Sequence, residues 1–297
     1  MSHLYLLSYC FIGNEACLAF YALNCLWLIA STSWMIFRCF MVTLDKSSIS
    51  GFVYSRRQPD GGFSFSATTA PCLEDTYYAV RILQELKTLS DDEGTVHYIA
   101  GMRLGGRPSM RNIYRHLYLL SSFGLKERMK GYQMRLKSRS KYFLREAYYL
   151  CLSMDFFEDS VFPEVLKEKI AVYEVDPLGL VVDESMRVIL MKKLGIEFNE
   201  EGYLRWFYGA QMFDGGYGFI QKSTAFMETT HWALKVLQTL NATPGDLKGC
   251  VEFITSCQGD DGGFGRQTIS LPTVEATYDA VSSLNILGEL QGVSYFG

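Results

Sequence analysis

Gln258-Gly259-Asp260-Asp261-Gly262-Gly263-Phe264 is a turn sequence that this chain contains in three versions. The other two are Gln58-Pro59-Asp60-Gly61-Gly62-Phe63 and Gln211-Met212-Phe213-Asp214-Gly215-Gly216-Tyr217. Each version is followed, after 10 to 11 residues, by a helix start of one type. These starts are Glu74-Asp75-Thr76-Tyr77-Tyr78-Ala79-Val80, Glu228-Thr229-Thr230-His231-Trp232-Ala233-Leu234 and Glu275-Ala276-Thr277-Tyr278-Asp279-Ala280-Val281. A turn and a helix start that recur at a fixed offset predict several copies of one supersecondary unit.

The unit is predicted to consist of a helix, a glycine turn and a second helix. Apolar residues follow Glu275 at helical spacing, and a helix is also predicted before each of the two later turns, at residues 203–211 and 248–258. Weaker copies in the middle of the chain bring the second helices to six, marked by Glu74, Asn112, Leu144, Asp183, Glu228 and Glu275. Six hairpins form either an open superhelix or a closed ring of six inner and six outer helices, and the spacing leaves both open.

The composition indicates a globular all-α protein with a sizeable core. Of the 297 residues, 48% are hydrophobic and 20% are charged, which is too apolar for a disordered chain. Few segments alternate with the period of two that strands require. The eight cysteines form no Cys-x-x-Cys pair and no regular spacing with the four histidines. We therefore expect neither a disulfide framework nor a metal finger, and a reducing, cytoplasmic compartment.

Residues 103–145 form a basic segment, with twelve Lys/Arg against one acid, Glu127. Such asymmetry predicts an anionic partner for this segment. Two pairs of arginines lie one helical turn apart and suit a diphosphate, because guanidinium groups match phosphate oxygens: Arg111 with Arg115, and Arg135 with Arg139. The alternatives are contact with an anionic membrane surface and an ordinary solvated face. No nucleic-acid-binding motif is found.

The first forty residues differ from the rest of the chain. Residues 16–37 carry no charge and are long enough to span a bilayer as a helix, which would anchor the main body on the cytoplasmic side. Two alternatives remain, namely a non-native extension upstream of a start at Met41 and a helix packed in the globule. The predicted organisation is an apolar segment at residues 1–40 and one repeat-built domain at residues 41–297.

The repeats resemble a known family. The pattern Gln-x3-Gly-x-aromatic is similar to the repeat of squalene and oxidosqualene cyclases and of protein prenyltransferase β subunits. Residues 251–258, followed by Asp261-Gly262-Gly263-Phe264-Gly265, resemble the prenyltransferase version. The resemblance covers residues 47–290, most clearly in the three units quoted first. It implies an α/α toroid of six helical hairpins with an aromatic-lined central cavity for isoprenoid chains.

The resemblance extends only in part to the residues that carry chemistry. Protein prenyltransferases hold zinc with an Asp, a Cys two residues later and a His. The first two positions resemble Glu228-Thr229-Thr230 here, and the third resembles Tyr278. His231 lies one turn from Glu228, so these two are the candidate ligands of a relocated metal, zinc or magnesium. The Asp-x-Asp-Asp acid of class II cyclases is also absent from the sequence.

The candidate site residues lie at the starts of the second helices. Glu228, His231, Tyr278 and Asp279 are predicted to do acid–base work at the rim of the cavity, because residues at i, i+3 and i+4 share one helix face. Tyr77, Tyr78 and Trp232 are predicted to contact the isoprenoid, together with the four arginines given above. The structural alternative is that Glu74, Glu228 and Glu275 cap their helices and tie down the glycine turns.

The resulting expectation is a prenyltransferase-like protein that binds, and transfers, an isoprenoid from a prenyl diphosphate. The alternative is a non-catalytic lipid-binding or protein-interaction scaffold on the same fold, since neither the zinc ligands nor the cyclase acid is complete. The resemblance also implies a protein partner similar to a prenyltransferase α subunit.

Overall fold

Eleven α-helices make up most of the part of the chain that the computed structural model describes, namely residues 43–90, 92–137, 143–157, 167 and 179–297, without the side chains of 133–135 and 137. The β-structure of these residues consists of isolated bridges, such as the one between Gln258 and Phe264. The all-α class predicted from the sequence is confirmed.

Six of the helices form an inner layer. They are α2 (Leu73–Glu85), α4 (Met110–Ser122), α6 (Leu144–Met154), α7 (Val181–Leu194), α9 (Met227–Thr239) and α11 (Val274–Gln291). Each contains one of the six residues that mark a second helix in the sequence. The outer helices of the described residues are α1 (Lys46–Tyr54), α3 (Glu93–Gly101), α5 (Lys130–Lys137), α8 (Glu200–Ala210) and α10 (Leu247–Ser256).

The inner helices close into a ring. Along the chain they pack in the order α2, α4, α6, α7, α9 and α11, and α11 packs against α2. In α2 and α4, the first-turn residues Glu74 and Arg111 contact each other. In α9 and α11, the last-turn residues Gln238 and Glu289 contact each other. These neighbours therefore run parallel. The sequence left an open superhelix and a ring as alternatives, and the contact between α11 and α2 decides for the ring.

A buried threonine ties each glycine turn to its inner helix. The backbone N–H groups of Phe63, Tyr217 and Phe264 donate to the hydroxyl oxygens of Thr76, Thr230 and Thr277, at 3.0, 2.9 and 2.9 Å. All three hydroxyls are fully buried. The residue that holds each glycine turn is therefore the threonine two positions after the glutamate. The glutamates themselves lie in the first turn of their helices and not at the N-cap.

The glycines of the turns also connect neighbouring outer helices. Gly262 has a φ of +86°, and a Cβ atom there would overlap the backbone of Ser48 in α1. Gly215 approaches Gly249 of α10 in the same way, and Gly61 approaches Gly94 of α3. Only glycine permits both this backbone conformation and this close approach. The last turn thus packs on the first outer helix, so the closure extends to the outer layer.

Several expectations lie outside the described residues, namely the apolar stretch 16–37, the start at Met41 and the boundary between residues 40 and 41. Within the part of the chain that the structure describes, every helix is too short or too polar to cross a membrane.

Candidate functional site

A cavity of about 280 Å³ lies inside the ring and is lined by residues of all six inner helices. Most of the lining comes from the N-terminal halves of these helices. We define its mouth by the first-turn residues Arg111, Arg145, Glu228 and Glu275, and its floor by Arg81, Leu152 and Lys235, which lie further along their helices. Mouth side chains are well exposed, 41% for Arg111 and 58% for Arg145, so the cavity opens at the N-terminal end of the ring.

Aromatic rings form the wall between mouth and floor. Tyr78 lies 5.2 Å from Tyr278 between ring centroids, and Tyr148 lies 5.5 Å from Trp232. The wall also includes three more tyrosines, Tyr77, Tyr114 and Tyr149. Such faces bind apolar chains and attract cations through their quadrupoles. The cavity therefore suits an apolar ligand, and a cationic state of it, better than a polar one.

Ion pairs surround the mouth. Arg115 is only 3% exposed, and its Nη2 lies 2.6 Å from Oε1 of Glu74. Arg111 lies 3.0 Å from the same carboxylate and 3.3 Å from Glu275. The hydroxyl of Tyr78 accepts hydrogen bonds from both arginines. Two of the four arginines predicted to bind a diphosphate, Arg111 and Arg115, are thus already held by carboxylates.

The same holds on the other side of the mouth. Arg145 donates to Asp183 at 2.7 Å, and Arg266 lies 3.6 Å from Glu228. Burial, together with the negative charge of Glu275, raises the pKa of Glu228. Each of these mouth arginines therefore faces a carboxylate within 4 Å, and the mouth is close to electrically balanced.

His231 and Asp279 form a buried pair in the wall. Nε2 of His231 lies 3.9 Å from Oδ1 of Asp279. Burial lowers the pKa of His231 well below its usual value, and the nearby Lys235 and Arg81 lower it further. Burial, with the charges of Glu275 and Glu228, raises the pKa of Asp279 well above its usual value. Burial therefore favours the uncharged form of both groups, in which the Asp279 carboxyl holds a proton that it can donate.

The floor is cationic. The guanidinium of Arg81 pairs with Glu85 at 2.9 Å and lies over the ring of Tyr278, 4.8 Å from the centroid. Lys235 Nζ lies 4.4 Å from the ring centroid of Trp232 and donates to the hydroxyl of Tyr148 at 3.2 Å. Burial lowers the pKa of Lys235 to about 8. The floor thus places two cations beneath an aromatic wall.

Comparison with known proteins agrees with this architecture. The family model of the prenyltransferase alpha-alpha toroid domain matches residues 9–109 and 185–295, more than half of the chain. The chain belongs to this family. Among solved structures, it is similar to Candida albicans protein geranylgeranyltransferase-I complexed with GGPP, with 14% identity over 82% of this chain and 78% of that chain and a TM-score of 0.38. No curated protein matches the sequence.

The toroid domain brings most of the predicted site residues to one place. Nine of them line the same cavity: Tyr77, Tyr78, Arg111, Arg115, Glu228, His231, Trp232, Tyr278 and Asp279. Arg139 and the side chain of Arg135 lie outside the described residues. Sequence reasoning missed the floor, although a signal was present. Arg81 and Lys235 follow Tyr77 and His231 by four residues, so they share the same helix faces.

The metal ligands of protein prenyltransferases do not fit this member of the toroid family. Thr230 Oγ1 accepts from the N–H of Tyr217 and donates to the carbonyl of Phe226, so it is used within the turn. The phenol of Tyr278 is a much poorer zinc ligand than imidazole. Among the described residues, no three His, Cys, Asp or Glu side chains come close enough together to hold a metal ion. The described residues therefore offer no ligand set that matches the zinc site of protein prenyltransferases.

Proposed function

We propose that this toroid binds an isoprenoid chain in its aromatic cavity and holds the anionic head of that ligand with cations that line the cavity. The observation that supports this most directly is the wall of seven aromatic side chains, to which five of the inner helices contribute. An isoprenoid buried there would gain the hydrophobic free energy of its methyl and methylene groups. An allylic cation formed from it would be stabilised by the aromatic faces.

The size of the cavity limits the length of the chain. Its volume of about 280 Å³ is at the lower end of the range for ligand pockets, which is about 300–1,000 Å³. The floor residues Arg81 and Lys235 confine the apolar chain to the aromatic wall, because a charged group loses hydration when hydrocarbon covers it. We therefore expect the farnesyl chain to bind more tightly than the longer geranylgeranyl chain.

The proposed function is tested by titrating the protein with farnesyl diphosphate and with farnesol in a calorimeter. Trp232→Leu removes an aromatic face of the wall and should weaken binding of both ligands roughly 5- to 10-fold. Trp206→Leu is the matched control, since Trp206 is also partly buried but lies on the outer helix α8. No saturable binding at micromolar concentrations would refute the proposal.

A second proposal concerns chemistry and rests on the buried pair of Asp279 and His231. Asp279 would act as a general acid toward a double bond of the bound isoprenoid. Its proton adds to an alkene carbon, the π electrons form the new C–H bond, and the carboxylate remains. The resulting tertiary cation loses a proton to Nε2 of His231, which lies 3.9 Å from Asp279 and returns the proton to it. The net reaction is isomerisation of the double bond.

Incubation in deuterated water tests this second proposal. The wild-type protein should place deuterium in farnesol, detected by mass spectrometry, and Asp279→Asn should not. Glu252→Gln, which removes a carboxylate from the exposed surface of α10, is the control. Saturable binding without deuterium incorporation or turnover would instead favour the non-catalytic binding scaffold.

A further inference from the structure

Lys235 is a partly buried cation that has no carboxylate partner in the part of the chain that the structure describes. It lies in the third turn of α9, one turn below His231, and the part of its side chain that is not buried faces the cavity. Tyr148 accepts one hydrogen bond from Nζ, which leaves two of its three N–H groups for other acceptors. Among the described residues, no carboxylate oxygen lies within 4.0 Å of Nζ, whereas each mouth arginine has one.

The charges around Lys235 leave the floor with a net positive charge. Arg81 is compensated by Glu85 at 2.9 Å. Burial shifts the pKa of His231 and that of Asp279 toward the uncharged form of each group. A buried charge is costly unless an opposite charge or several hydrogen bonds compensate it. Two N–H groups of Lys235 have no acceptor among the residues described, and its open side faces the cavity, so an anion would be stabilised there.

We propose that the floor is an oxyanion subsite, in which Lys235 binds the phosphate or carboxylate head of an amphiphilic ligand. The apolar chain of that ligand then runs from the floor past the aromatic wall toward the mouth. This inference rests on the proposed function for the isoprenoid nature of the chain, and it adds the orientation. The head is bound inside the ring rather than at the mouth arginines, which would have to leave Glu74 and Glu275 to receive it.

Calorimetric titration with three probes tests the subsite. The probes are farnesyl diphosphate, dodecyl phosphate and farnesol. Dodecyl phosphate has the anionic head without the isoprenoid chain, and farnesol is neutral. Lys235→Met keeps the length of the side chain and removes its charge. It should weaken both anionic probes roughly 10- to 100-fold, the loss expected for a charge-assisted hydrogen bond. Farnesol binding should change little. Lys248→Met, at an exposed lysine of α10, is the control.

A pH series on the wild-type protein gives an independent readout that needs no variant at Lys235. Affinity for dodecyl phosphate should fall as pH rises through about 8, where the free Lys235 loses its proton. Near pH 8.5, binding should take up protons, measurable in buffers of different ionisation enthalpy. The groups that face Lys235 are Tyr148 of α6, Arg81, Tyr77 and Glu85 of α2, Asp279 of α11, and His231 of α9 itself. The fall in affinity should persist in Asp279→Asn. This variant distinguishes the titration of Lys235 from that of the Asp279 carboxyl, whose charge also changes as pH rises.

The outcomes separate the two proposals. If Lys235→Met binds both anionic probes like the wild type while Arg111→Met does not, the head binds at the mouth and the subsite is refuted, but the proposed function stands. If dodecyl phosphate binds in a Lys235-dependent way and farnesyl diphosphate does not bind, the subsite stands and the isoprenoid proposal falls. If the wild-type protein binds neither anionic probe, both are wrong.

Discussion

The hydroxyl of Tyr78 donates a 2.8 Å hydrogen bond to Oε1 of Glu275, a residue 197 positions further along the chain. Tyr78 lies in the first inner helix, α2, and Glu275 lies in the last, α11, so this bond crosses the seam at which the ring closes. The same hydroxyl accepts hydrogen bonds from Arg115 at 2.8 Å and Arg111 at 3.0 Å. One tyrosine thus joins three inner helices at the mouth of the cavity.

Tyr78→Phe should destabilise the ring, because the buried guanidinium of Arg115 loses an acceptor and Glu275 loses a donor. We expect the free energy of unfolding to fall by about 1 kcal/mol, the net contribution of a typical hydrogen bond, because Arg115 keeps Glu74 and Glu275 keeps Arg111 as a partner. Urea denaturation measures it. Tyr54→Phe is the control, since the Tyr54 hydroxyl bonds the carbonyl of Thr88 at the periphery. Equal losses in the two variants would mean that the polar seam adds no more to stability than peripheral hydrogen bonds do.

Thr230→Val should also be destabilising, although the two side chains have nearly the same shape. The hydroxyl of Thr230 is fully buried and accepts the N–H of Tyr217, which would be left without an acceptor. A loss of about 1–3 kcal/mol is expected. Thr239→Val, whose hydroxyl bonds the carbonyl of Lys235 within its own helix, should cost less. A Thr230→Val protein as stable as the wild type would show that the turn is held by its glycine and aromatic packing alone.

Asp279→Asn should change how stability depends on pH. Burial raises the folded-state pKa of Asp279, whereas the unfolded carboxyl ionises near pH 4. Between these two values the unfolded state holds one proton fewer, so this group lowers stability by about 1.4 kcal/mol for each pH unit of increase. Asn removes the effect. We therefore expect the free energy of unfolding of the variant, minus that of the wild type, to grow as pH rises from 4 to 8. Chemical denaturation at several pH values measures it. A constant difference would contradict the neutral Asp279 in the folded protein.

His231→Gln should have its effect on the acid side. Burial, with Lys235 and Arg81 nearby, lowers the folded-state pKa of His231, and the unfolded imidazole protonates near pH 6.5. Below that pH the unfolded state gains a proton that the folded state does not bind. His231 therefore lowers stability by about 1.4 kcal/mol for each unit that pH falls, down to its folded-state pKa.

Chemical denaturation between pH 4.5 and 7.5 checks this dependence. The difference between His231→Gln and the wild type should grow in favour of the variant as pH falls below about 6.5. His97→Gln, at an exposed histidine of α3, controls for the loss of an imidazole. If His97→Gln and His231→Gln show the same profile, the folded-state His231 is not the source of the effect.

The aromatic wall could be predicted from the sequence because it follows from helical spacing. Tyr77, Tyr78, Trp232 and Tyr278 lie three or four residues after the glutamates of the repeats, and this fixed the helix face that they share. The partners of the mouth arginines could not be predicted. Glu74 and Arg115 lie 41 residues apart, and their 2.6 Å pair depends on how α2 and α4 pack. From the sequence, the arginines of the basic segment therefore looked available to bind an anion. In the folded protein, carboxylates at the mouth neutralise the arginines that lie there.

By itself, the sequence determined the helix–turn–helix unit, its number of copies and the family resemblance, because glycine turns and helical periodicity are local properties of a few neighbouring residues. The tertiary structure alone decided that the ring closes, that Glu275 meets Tyr78, and that no carboxylate of the described residues pairs with Lys235 at the floor. These features depend on contacts between residues up to 200 positions apart, such as Asn285 with Glu85. Such contacts form only when all six inner helices pack around one centre.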